Sequence, residues 1–217
     1  AVVMASGGWI NKHIVEDLPV EHKKAYDQFN HAPMLVANVA LTNWRFLEKL
    51  GITAYQWKGG FGFHTNIRKP MHVGKYQPDL DPNKPITLTF YVSFEKTNQG
   101  LSAQQQSRIG QYEMLGKTYM QYEREIRQQM VKLFGGSGFD PKNDIAGIIL
   151  NRWGHAYVTP TPGFFYSPEG GPGYSQIIKN QPFGRISFGH SELRGYQHWG
   201  PAAEEGSRAV DQLVDFI

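Results

Sequence analysis

The sequence predicts a mixed fold, α/β with α+β character, and three observations carry that prediction. "MLVANVAL" (34–41) and "ITLTFYVSF" (86–94) are dense in β-branched and aromatic residues, as strands are. The stretch 104–135 repeats apolar residues at three- and four-residue steps, the period of a helix. Short apolar runs near the two ends, Val2–Met4 and residues 185–188, read as buried strands.

The elements follow in order. Residues 1–5 predict a strand and "SGG" (6–8) its turn. "EHKKAYDQF" (21–29) predicts a short helix, with Pro33 as a break before the strand at 34–41. "NWRFLEKLG" (43–51) predicts a helical turn stopped by Gly51. "AYQWKGGFGFHTNI" (54–67) alternates aromatic and small residues, as a hairpin does, and 68–85 is a proline-rich loop. In the helical stretch Ile109, Tyr112, Leu115, Tyr119, Tyr122, Ile126, Met130 and Leu133 form one apolar face, with Gly116 as a potential break between two helices. "IAGIILNRWGHAYVT" (145–159) predicts a strand, 160–175 a Gly/Pro-rich loop, and Pro201 to about Phe216 a final helix with Gly206, Val210, Leu213 and Ile217 inward.

Composition removes several functions. At 217 residues the chain forms one domain or two small ones. No run of about 18 apolar residues exists to span a membrane as a helix. The net charge of +3 is spread without a basic stripe, which argues against nucleic acid as a partner. There is no cysteine, so disulfides, thiolate metal sites and a cysteine nucleophile are excluded. That leaves both periplasm and cytoplasm open for a soluble protein of bacterial type. The opening "AVVMASG" lacks an initiator Met and reads as a strand already under way, so the expected chain is one entered in mid-fold; a trimmed chain or a removed leader is the alternative.

The most pointed stretch is "GRISFGHSELRGYQHWGPAAEEGSRAV" (184–210). A short strand runs into a loop with His190, Glu192, Gln197, His198 and Trp199, and then into a helix start. Pro201 suits the first helical position, and Gly200 is an acceptable cap. Ala202, Ala203, Gly206 and Ala209 allow a neighbour to come close. The amino end of this helix offers free N–H groups and partial positive charge, which suits an anion. Glu192 has the chemistry to accept hydrogen bonds from sugar hydroxyls, and His198 and Trp199 the rings to stack on a planar group. A plain helix start with a solvated acid fits the same letters.

This stretch resembles the C-terminal flavin-binding signature of the flavin-containing amine oxidase family. In that family a strand ends in a Gly-x-x-Glu turn, and an aromatic loop leads to a helix aimed at the flavin. The resemblance matches Gly189, His190 and Glu192 to the turn, Gln197, His198 and Trp199 to the segment beside the isoalloxazine, and Pro201 and Ala202 to the helix start near flavin N1 and O2. "AVVMASG" resembles the strand and turn against the dinucleotide, which adds Ser6 and Gly7. "NRWGHAYVTPTPGFFYSP" resembles the segment returning from the substrate domain, which adds Trp153 to the cofactor residues. The spermidine dehydrogenase-like branch is the nearest in these residues. The likeness runs through most of the chain in order, but only about the last 35 residues are specific to it.

The resemblance implies a partial FAD-binding Rossmann-like domain (1–8 and 151–217) plus a mixed-sheet substrate-binding domain of the amine oxidase type (9–150). It implies an amine oxidised by hydride transfer to flavin N5, with a polyamine among the candidate substrates. The N-terminal dinucleotide-binding half is missing: "GGFGFH", "GGSGFD" and "GGPGYS" fail the G-x-G-x-x-G spacing. A missing N-terminal polypeptide carrying that half is therefore the expected partner, and this chain alone should hold FAD poorly. Without cysteine, FAD is expected to be bound non-covalently. Family oxidases commonly place a lysine near N5 on the strand that resembles 31–41; here Asn38 and Val39 stand there, which favours a dehydrogenase over an oxidase. His155 and Tyr157 are the candidates for substrate contact, with His155 a potential base near neutral pH or else a structural histidine. Trp153 and Tyr157 fit a core role equally. A polyamine would want carboxylates, which Asp79, Asp81, Glu95 or Glu113 would supply unless they are surface charges. The same branch admits haem as a second cofactor, and His64 and His72 offer imidazoles, but no ligand spacing supports haem or a metal. Two other readings remain: a non-catalytic binding module that has lost the cofactor, and a flavoenzyme acting on amino acids or another substrate.

Overall fold

The computed structural model describes residues 1–216; Ile217, the last member of the expected inward stripe, lies outside them. The fold is mixed α/β, with one parallel and one antiparallel sheet. The chain clusters into two compact units, the first of Ala1–Ala32, Lys96–Arg108 and His155–Ile217, the second of Pro33–Glu95 and Ile109–Gly154.

In the first unit β1 (Val2–Met4) lies parallel to β7 (Ile186–Phe188), with Val2 opposite Ile186 and Met4 opposite Phe188. Around them stand α1 (Gly8–Ile14), α2 (Val20–Tyr26), α6 (Tyr174–Lys179), a 3₁₀ turn (Ser191–Arg194) and α7 (Trp199–Asp211). Their core gathers Val15, Tyr26, Phe29, Phe164, Ile178, Phe188 and Leu193. The helix α1 starts on the last glycine of "SGG", a stretch that the sequence predicts as a turn.

In the second unit β2 (Asn30–Leu41), β3 (Ala54–Gln56), β4 (His64–Ile67), β5 (Ile86–Ser93) and β6 (Ile145–Thr159) form a sheet of order β3-β4-β5-β2-β6. The β2–β5 ladder is antiparallel and pairs Asn38 with Thr89 and Val36 with Tyr91. Side chains of a strand alternate between faces. Leu35, Ala37, Val39 and Leu41 of β2 and Leu88, Phe90 and Val92 of β5 are buried. That face is covered by α3 (Arg45–Leu50), α4 (Ala103–Gly116) and α5 (Tyr119–Phe134), through Phe46 and Leu47, Met114, and Ile126, Met130 and Phe134. Pro33, expected as a break before a strand at 34–41, lies inside β2. It stands one residue before the first β5 rung at Met34, where its missing N–H removes no bond from that ladder.

Gly116 does divide the long helical stretch, and the division changes the face that is buried. Thr118 caps α5 and exchanges reciprocal hydrogen bonds with Gln121, a capping box that restarts the helix in a new phase. Tyr122, Ile126 and Met130 are fully buried, whereas Ile109, Tyr112, Leu115 and Tyr119 are exposed and Gly110 and Met114 take the inner positions of α4. One continuous stripe fails because two helices cannot share a phase across a cap. No helix among the described residues is long and apolar enough to cross a membrane.

Chemical denaturation separates the two phases. Met130→Ala is expected to cost about 2–5 kcal/mol, the range for emptying a packed methionine site. Leu115→Ala, equal to it by periodicity, should stay within about 0.5 kcal/mol.

Candidate functional site

The site residues of the first unit converge on one buried carboxylate. Glu192, in the 3₁₀ turn after β7, is 3% exposed. Its Oε2 accepts from the Gly8 N–H at 2.7 Å, the first N–H of α1. Its Oε1 stands 3.0 Å from His31 Nε2, an ion-pair distance off the line of a good hydrogen bond, and accepts from Gln197 Nε2 at 3.2 Å. His190 Nδ1 lies 3.8 Å away and also caps the turn by accepting from the Glu192 N–H. Burial alone would raise the Glu192 carboxyl. The contact and charge of His31, the Gly8 N–H and the charge of His190 outweigh that and hold it below the usual carboxylate range. Both oxygens are thus engaged within the protein, so Glu192 acts on its surroundings by fixing the β1–α1 turn.

That turn contains Ser6 and Gly7. The Ser6 hydroxyl bonds Asn11 Oδ1, and Asn11 in turn bonds Tyr26 Oη at 3.2 Å. A Cβ on Gly8 would lie 2.9 Å from the Phe29 ring and 3.1 Å from Glu192 Oε2, so the glycine allows the carboxylate its close approach. The buried hydroxyl of Tyr26 is pushed far up by desolvation and stays protonated.

His155 adjoins this cluster. Its ring stacks on Trp9 at 4.4 Å and 14°, and meets the edge of His31 at 5.5 Å and 84°. Desolvation and the charge of His31 lower its pKa, against a smaller opposing pull from Glu192. Neutral imidazole is therefore favoured at neutral pH. Tyr157 is 42% exposed on the same strand.

The amino end of α7 differs from its expected form. The cap is His198, in extended backbone, whose Nδ1 accepts from Gly200 N–H at 3.4 Å, so the helix begins at Trp199 and Pro201 stands third. Pro is tolerated there because first-turn N–H groups have no intrahelical partner. Pro201, Glu205, Ala209 and Leu213 face inward at strict four-residue steps, and Val210, expected inside, is 47% exposed. Glu205 is held by Arg208 Nε at 2.8 Å. A Cβ on Gly189 would lie 2.9 Å from Ala209 Cβ and 3.0 Å from the Glu205 carbonyl oxygen, so this glycine sets how closely α7 lies on β7. Trp199 is 79% exposed and Ala202 is exposed, while Gln197 Oε1 is taken by the Val158 N–H at 3.0 Å.

Ser6, Gly7, Gly189, His190, Glu192, Gln197, His198, Trp199, Pro201, Ala202, His155 and Tyr157 thus all belong to the first unit. Trp153 and Asn38 belong to the second. Trp153 is 57% exposed, and Asn38 Oδ1 accepts from the Thr89 hydroxyl at 2.7 Å. The sequence reading passed over His31, Trp9 and Gly8. His31 sits one residue from the start of a strand, where a histidine between Asn and Ala gives no signal. Among the described residues no group of three or more His, Asp or Glu is placed to hold a metal.

No protein-family model matches the chain, and no curated protein does. Solved structures of putrescine oxidase share its fold. The wild type bound to putrescine superposes with a TM-score of 0.60 at 13% identity, over 99% of this chain and 42% of that one. A single mutant and a double mutant from the redesign of cofactor binding in the same enzyme give 0.62 and 0.61, each at 13% identity. The chain spans less than half the length of these structures.

The buried pair generates a linkage prediction. Because the folded Glu192 carboxyl lies below its unfolded value, its stabilisation is present above pH 4.5 and is lost as pH falls through the folded value. Urea titrations of wild type should show that acid limb, and Glu192→Gln should flatten it. His31→Ala should cost about 3 kcal/mol near neutrality by removing one buried partner of the carboxylate. The double variant should cost less than the sum, and full additivity would rule out the pairing.

Proposed function

We propose that this chain is the substrate-domain and C-terminal flavin-site portion of an FAD-dependent oxidoreductase that oxidises amines. Residues 1–8 and 151–217 complete the FAD-binding domain, and 9–150 form the substrate-binding domain. The carrying observation is the single buried network that ties the Gly189–Glu192 turn to the β1–α1 turn, at the foot of α7. The flavin-type signature at 184–210 and the likeness of fold to putrescine oxidase support the same reading. A further polypeptide carrying the G-x-G-x-x-G half supplies the other anchor for non-covalent FAD, and haem has no support in ligand geometry.

The residues present fit part of such a group. The Trp199 N–H precedes the first intrahelical bond, which runs from Ala202 to His198, while Gly200 N–H donates to His198 Nδ1, so the partial positive charge at the amino end of α7 suits the negative side of a reduced ring. The exposed Trp199 ring offers a stacking face. Glu192 contributes indirectly, by holding Ser6, Gly7 and Gly8 in place. A bound flavin would supply the oxidation, as the acceptor of a hydride from the substrate's α-carbon. His155, kept neutral by burial and by His31, takes a proton from the incoming ammonium, so that the amine reacts as the free base. Tyr157 and Trp153 stand as substrate- and cofactor-contact candidates. Asn38, in place of a lysine, favours an acceptor other than oxygen.

The test is spectroscopic. The purified native assembly should show oxidised-flavin absorbance bands, release FAD on denaturation, and bleach anaerobically with an amine. Reoxidation by a dye but only slowly by oxygen identifies a dehydrogenase. A colourless protein with no companion polypeptide refutes the assignment. In the active assembly, His155→Asn should abolish the acid limb of kcat/KM that wild type shows below pH 6.5, the ordinary histidine value from which His155 is lowered.

A further inference from the structure

The sheet of the second unit has one face under helices and another whose polar residues no helix explains. Across that second face, Asn66 of β4, Thr89 of β5 and Asn38 of β2 stand in one transverse row, and His64 and Tyr91 in the next. Arg68, just past β4, binds both rows. Its Nε donates to Thr89 Oγ1 at 2.9 Å and its Nη2 to Tyr91 Oη at 2.7 Å. The guanidinium carbon lies 5.8 Å from the Tyr91 ring centroid. These contacts fix the plane of an exposed guanidinium and engage only part of its donor set. Beside it, His64 Nδ1 and Asn66 Oδ1 are buried without a hydrogen-bond partner among the described residues. The cluster is therefore preorganised and has unused hydrogen-bonding capacity, which buried polar groups in proteins rarely retain without a reason.

Its charge decides what it would take. None of the strands β2 to β6 contains an aspartate or glutamate, so the sheet offers an ammonium group no counter-charge, and Arg68 repels one. A carboxylate is the opposite case: a fixed guanidinium fork and a tyrosine hydroxyl bind it with charge-assisted, directional bonds. We propose that this face is a carboxylate-recognition site built on Arg68 and Tyr91, and that the amine oxidised by the enzyme carries an acid group. The proposal rests on the reading of residues 9–150, which include β2 to β5, as the substrate-binding domain. It parts from the diamine named for the similar putrescine oxidase structure.

Anaerobic calorimetric titration of the native assembly with 4-aminobutanoate and with putrescine, amines of matched length that differ in the far group, tests it. The acid should bind at least about tenfold more tightly, the difference of one good charge-assisted contact. Arg68→Gln should remove that preference, with the circular dichroism of the fold unchanged. Tyr91→Phe, which keeps the ring and loses the hydroxyl, should weaken the acid alone, and it decides the matter by itself if Arg68→Gln does not fold. Equal or tighter binding of putrescine, no binding of either amine, or an acid preference that survives both substitutions overturns the proposal. FAD release from the native assembly is scored separately, so loss of the carboxylate site and loss of the flavin reading give different results.

Discussion

The first unit depends on one buried carboxylate. Glu192 joins the turn after β7 to the amino end of α1, across 184 positions of sequence, and does so by accepting an N–H where the helix carries partial positive charge. Desolvating an acid is costly unless it is paired and hydrogen-bonded. Here Gly8, His31 and Gln197 together meet that cost. Removing the charge would therefore affect more than one contact, because β1, α1, the start of β2 and the loop before α7 all hold their positions through it. This arrangement also gives His31 a role between two worlds: one edge faces the carboxylate, the other the ring of His155 and, through it, Trp9.

Glycine works beside that acid in two distinct ways. Gly8 lets a carboxylate reach a backbone N–H, and Gly189 lets a helix settle on a strand. Neither has an unusual backbone angle, so both are required for space rather than for conformation. The inward face of α7 shows the same economy of space, with Pro201, Ala209 and the ion-paired Glu205 stacked on successive turns where a longer apolar stripe was expected.

Much of this was legible in the sequence wherever a single periodicity governed an element. The strands at 34–41, 86–93 and 145–159 and the hairpin at 54–67 declare themselves through β-branched and aromatic runs. What stayed hidden depended on partners far away in sequence. The helix at Gly8–Ile14 owes its anchored start to Glu192, which the local "SGG" cannot reveal. The buried phase of α4 was masked because a cap at Thr118, visible only as a capping pair, resets the count. Of the candidate site, the 184–210 loop and its acid could be picked out by composition, but the direction in which Glu192 points could not. Nor could the importance of His31, which comes from being brought beside it.

The parallel pairing of β1 with β7 has a consequence for how the molecule is made. Apart from the last residues of β6, the second unit draws on nothing beyond Gly154, so its strands and helices are made before β7, Glu192 and α7. Until then β1 lacks its partner β7, and α1 lacks the carboxylate of Glu192 at its amino end. Closing so long a loop is slow relative to local pairing. During synthesis β1 thus waits for a parallel partner made much later in the chain, and a product ending before Ile186 would leave that edge of β1 unpaired.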